Sequence, residues 1–175
     1  MYETIQSVHS ILAYAALGLL VLASINAIFG LTSKKLFTDK DLRLSLFTLI
    51  ICHIQLLVGL ILYFVSPLGS AQLGNMKDAA MRLTSLVHPL INIIALVLIT
   101  IGWSKHKKEE SNNGKFKKIA IFYTLGLILI CPAPQPSWPL YIPIKPVSFF
   151  LPILKALPEL VSLISVSFKL TVGIA

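Results

Sequence analysis

Acidic residues are scarce in this chain: seven Asp and Glu among 175 residues, and only 13% charged residues of either sign. A soluble domain carries about a quarter charged residues, so a wholly water-facing surface is excluded and lipid is expected around much of the chain. None of the seven acids lies inside the long apolar runs, which rules out a carboxylate proton relay across them. Cysteine is nearly absent too. Cys52 and Cys131 both sit within apolar stretches, so there is no disulfide framework and no cysteine-based metal motif, and both read as small buried residues. A phosphate-binding glycine loop and a paired nucleophile and base are also missing, and no catalytic constellation is visible. The formal charge of +8 does not point to nucleic acid, because the basic residues stand between apolar runs rather than on one soluble face.

What is present is hydrophobicity, at 56% of residues and a mean hydropathy of +0.85. A spanning helix needs about 20 mostly apolar residues. Three runs meet that length: Ser10 to Leu31, Leu44 to Val65, and Leu83 to Trp103. A fourth, Ile119 to Cys131, is short and must be lengthened by its neighbours or lie where the bilayer thins. The first run is preceded by Glu3 and by no Lys or Arg, the reverse of a secretory leader, so it reads as a retained helix. Asp39 or Asp41 is expected to cap the second helix and Ser66-Pro67 to close it. Residues 105–118 read as a solvated hairpin with a turn at Asn113-Gly114.

Ten basic residues fall in the first and third connections: Lys34, Lys35, Lys40 and Arg43, then Lys105, Lys107, Lys108, Lys115, Lys117 and Lys118. The second connection holds two, Lys77 and Arg82. Basic loops stay in the cytoplasm, so the expected architecture is an all-α, up-down, transmembrane four-helix bundle over residues 1–131 with its N-terminus outside. It would be a multi-pass protein of the bacterial inner membrane. Residues 132–175 form a second region, a Pro-rich irregular tail of unassigned structure, within which residues 165–172 alternate with a strand period.

Four histidines stand out. His106, in a lysine-rich segment, reads as solvated. His9 lies six residues after Glu3, and His88 six residues after Arg82. Each should therefore sit roughly 9 Å from the outer charges. The first and third helices run the same way in an up-down bundle and are diagonal neighbours, so the two imidazoles share a depth. Adjacent helix axes are about 8–10 Å apart and a diagonal about 1.4 times wider, which suits a flat macrocycle held by one imidazole from each side. His53 lies nearer mid-membrane, where Gln55, Asn26, Asn92, Tyr123, a propionate or a water would satisfy it. Single intramembrane histidines can also serve packing alone, although ionisable groups in a membrane are functional candidates by default.

The segments "HSILAYAALGLLVLA", "FTDKDLRLSLFTLIICHIQLLVGLILYFVSP", "MKDAAMRL", "VHPLINIIALVLITIGWSKHKK" and "KKIAIFYTLGLILI" resemble a small bacterial four-helix membrane family catalogued as cytochrome b-like. The resemblance covers about residues 1–131. It implies that His9, His53 and His88 are the functional residues, and with them haem b and electron exchange with a membrane redox partner. The resulting expectation is b-type haem held by His9 and His88, with His53 supporting. The alternatives are a non-enzymatic accessory subunit with structural histidines, or a copper- or zinc-handling protein using His9 and His88.

Overall fold

A computed structural model describes residues 1–130, and every element among them is helical. The Pro-rich tail, its alternating segment and Cys131 lie outside the described residues.

Helix α1 spans Tyr2–Thr32, α2 spans Asp39–Val65, α3 spans Ala79–His106 and α4 spans Asn112–Ile130. With 31, 27 and 28 residues, α1 to α3 reach mean hydropathies of 2.2, 2.3 and 2.1. At 1.5 Å per residue each is about 40 Å or longer, against about 30 Å of hydrocarbon. These three helices are long and apolar enough to cross a bilayer, and the chain is a multi-pass integral membrane protein.

Several helix boundaries have a local cause. Lys34 takes a left-handed φ of 52°, and the Lys35 N–H turns back onto the Gly30 carbonyl at 3.1 Å. Helix α2 opens at Thr38, not at either aspartate. Asp41 instead occupies the third helical position, and its carboxylate accepts from the Thr38 N–H at 2.9 Å and hydroxyl at 2.6 Å. The same carboxylate accepts from Asn26 of α1 at 2.8 Å and from Lys35 at 2.9 Å, tying the two helices together. Asp78 opens α3 by accepting from the N–H groups of Ala80 and Met81. Helix α4 begins seven residues before the apolar run, because the Ser111 hydroxyl accepts from the Gly114 N–H at 3.0 Å and caps it there. The Asn113-Gly114 pair therefore lies in the first turn of α4, where weak helix propensity matters little. The short fourth run is lengthened on its polar side.

One irregularity interrupts α3. Residues Leu83–Val87 form a π turn, in which the His88 N–H reaches the Leu83 carbonyl five residues back. Pro89 follows directly. Its ring has no N–H to offer Ser85 and would collide with that residue's carbonyl in an ordinary turn. The wider turn removes the collision.

Helix α1 packs on α2 and α4, and α3 packs on α4, all extensively. Helices α2 and α3 meet more sparsely, and α1 and α3 barely touch. Small residues permit the close approaches. Ala16, Ala23 and Ala27 line the buried side of α1. A methyl group on Gly126 would stand 2.7 Å from Ile99. Tyr123, fully buried, donates its hydroxyl to the Ser45 carbonyl at 2.9 Å. Cys52 is buried as a small core residue.

The two Lys-rich connections meet at one end. The Phe37 N–H donates to the Asn112 side chain at 3.0 Å, and its ring packs 5.0 Å from Phe116 and 5.8 Å from His106, centre to centre. His106 is not solvated as its lysine neighbours imply. Helix α3 runs on to include it, and it is 2% exposed, its ring centre 4.4 Å from that of Trp103 with the two planes tilted by 50°.

Candidate functional site

The site is built from three helices. His9 lies seven residues into α1, Gln55 ten residues before the end of α2, and His88 nine residues into α3. By rise per residue all three are about 10–15 Å from those helix ends, at the end away from the lysine-rich connections. His9 projects between α1 and α2. The Gln55 side-chain amide donates to the His9 carbonyl at 3.1 Å, and the same nitrogen lies 3.2 Å from Nδ1 and 3.3 Å from Nε2 of the imidazole. A nitrogen nearly equidistant from both ring nitrogens at these distances lies against the face of the ring. It is aligned with neither lone pair, so neither is consumed. One turn further on, Gly59 leaves room for the ring, because a Cβ there would stand 3.0 Å from His9 Cε1.

His88 is held differently. The Asn92 amide, one turn along α3, donates to the His88 carbonyl at 2.7 Å and lies 3.3 Å from Nδ1. The π turn just before His88 sets where this pair falls around the helix. His9 and His88 stand on helices that barely touch, at similar distances from the ends of α1 and α3. Each imidazole is thus attended by one side-chain amide, from a different helix in one case and from its own in the other.

His53 is not drawn into this group. It lies on the exposed side of α2 with Ile50, Ile54 and Leu57. Its Nδ1 donates to the Leu49 carbonyl at 2.8 Å in the neutral tautomer that keeps Nε2 free. None of the four side chains expected to satisfy it does so. Gln55 serves His9, Asn26 serves Asp41, Asn92 serves His88 and Tyr123 serves Ser45. Helical geometry is the reason for Gln55: residues two apart point about 200° away from each other, so His53 and Gln55 cannot share a face. The spacing Asp41, Ser45, Thr48, Cys52, Gln55 and Gly59 is the signal that separates them, since it traces one inward stripe at three- and four-residue steps.

Whether these residues suit a haem is a question about donors and their partners. A six-coordinate b-type haem takes two imidazoles from opposite sides, and His9 and His88 are two imidazoles on non-adjacent helices. A metal-bound imidazole also uses its second N–H to hold a carbonyl or carboxylate acceptor. Gln55, beside His9, has its Oε1 buried with no hydrogen-bond partner among the described residues, and Asn92, beside His88, also carries an amide oxygen. The residues fit the group in kind. A zinc site needs three or four protein ligands. Among the described residues no three His, Cys, Asp or Glu side chains gather into such a set.

No protein-family model matches the chain, and no curated protein or solved structure matches it.

Proposed function

We propose that this membrane protein is an up-down four-helix bundle of the bacterial inner membrane, with its N-terminus outside, that binds a b-type haem between His9 and His88. The observation that carries the reading is the pair itself: two imidazoles on helices that barely touch, at similar distances from one end of the bundle, each with a side-chain amide beside it. A haem bound in this way supplies reversible one-electron transfer. The chain's own contribution is to hold the two imidazoles at one depth and to surround them with apolar helix. Electrons would pass to a membrane partner. His53, on the exposed side of α2, takes no part as a ligand in this proposal.

The test is haem titration of the full chain purified in mild detergent, followed by absorbance in the reduced state. Wild type is expected to take up one haem with the paired-imidazole spectrum. His9→Ala and His88→Ala are each expected to abolish or strongly distort it while the helices still insert. A wild-type protein that takes up no haem refutes the reading.

A further inference from the structure

We infer that Gln55 is the positioning residue for His9, holding the imidazole of α1 from the neighbouring helix so that its nitrogens remain available to a ligand. Three observations converge. The Gln55 amide bonds the His9 carbonyl at 3.1 Å, fixing it to the backbone from which the imidazole springs. Its nitrogen lies against the face of the ring at 3.2 and 3.3 Å from the two ring nitrogens, which restrains the ring without occupying either in-plane lone pair. Gly59, one turn away on the same face of α2, admits the imidazole without a shift, since a Cβ there would stand 3.0 Å from its Cε1.

Gln55 gains little from this arrangement for itself. Its Oε1 is buried and has no partner among the described residues, an unfavourable state that an apolar residue of similar volume would avoid. The orphaned oxygen has a use once His9 ligates a metal through one nitrogen. The other nitrogen then carries a proton and needs an acceptor, and rotation of the Gln55 amide brings Oε1 toward it. His88 has its amide on its own helix, so it can be oriented by α3 alone. His9 depends on α2. The pairing therefore makes the α1–α2 contact part of the site, and this functional consequence rests on the haem reading above.

The experiment uses the full chain with ¹⁵N-labelled histidine in detergent micelles, without added haem. His9 is assigned from the resonances missing in His9→Gln. In Gln55→Leu, the His9 imidazole nitrogens are expected to shift toward the averaged values of an unrestrained ring, with those of His88 unmoved. Gln55→Glu keeps the reach but offers only oxygen. It is expected to displace the His9 resonances in the opposite sense, as the nitrogen facing it takes up a proton. Gln55→Met, close in volume, provides the comparison if the leucine variant does not fold. Unchanged His9 resonances in both apolar variants overturn the inference, and equal shifts at His9 and His88 overturn it too, because they report a general loosening. Haem titration of the same proteins separates the two claims. A wild type without haem uptake removes the haem reading, while the nitrogen resonances still decide the role of Gln55.

Discussion

Replacing Asp41 with alanine should be among the more damaging single changes in the bundle. The carboxylate is 3% exposed and accepts four hydrogen bonds, from the Thr38 N–H and hydroxyl, Asn26 and Lys35. The contributions are unequal. The Lys35 side chain is 40% exposed, and an exposed ion pair is worth at most about 1 kcal/mol. The Thr38 contacts form half of a helix start, worth about 1 kcal/mol. The Asn26 bond joins α1 to α2 away from solvent, and a hydrogen bond to an ionised group contributes about 1.5–3 kcal/mol. With the lysine discounted, Asp41→Ala should cost about 3 kcal/mol in all. That is about a hundredfold in the folding equilibrium, at 1.4 kcal/mol per tenfold. Lys35→Ala should cost no more than about 1 kcal/mol. Reversible unfolding in mixed micelles, followed by circular dichroism, measures both. If the two variants lose the same stability, the assignment of most of the energy to Asn26 and the helix start is wrong.

Cysteine introduced at Lys107 should resist an impermeant thiol reagent on intact cells and cysteine at Ser70 should react, in a background with Cys52 and Cys131 replaced by serine; the reverse pattern refutes the N-terminus-outside orientation. Gly126→Val should destabilise by about 1–3 kcal/mol through overpacking, since even its Cβ would stand 2.7 Å from Ile99 and 3.3 Å from the Ala95 carbonyl; an unfolding midpoint equal to wild type refutes the close α3–α4 contact. His53→Ala should leave haem uptake intact in the titration that His9→Ala abolishes, and loss of haem from the His53 variant would make His53 a ligand.

Three spans were plain from their apolar length, because lipid imposes a stringent compositional demand on any helix that crosses it. Helix α4 was only half visible. Its first seven residues include three lysines and Asn113-Gly114, which composition assigns to a loop. Its start depends on a single cap from Ser111 that apolar run length does not report. His106 was misjudged for a related reason. Lysines dominate its sequence neighbourhood, but Phe37 arrives from a connection about 70 residues earlier to cover it. For the site, His9 and His88 were reachable by counting from the nearest charges, an argument about depth. The partner of His9 was not, since depth says nothing about direction around a helix. Applying the helical period to α2 turns Gln55 inward and His53 outward.

The π turn of α3 has a consequence for how this helix tolerates change. A π turn holds one residue more than the helix around it requires. Leu83–Val87 therefore act as a seam between the opening turn, Ala79–Arg82, and the stretch from His88 onward. Deleting one residue from the seam would restore a continuous α-helix and leave the Asp78-capped opening close to its present place around the axis, because the wider turn already absorbs the extra residue. The face carrying His88 and Asn92 would stay in register with α4. A single-residue deletion in the seam can thus leave both the histidine and the Asp78-capped opening in place, and the cost falls on Pro89, whose ring would meet the carbonyl four residues before it.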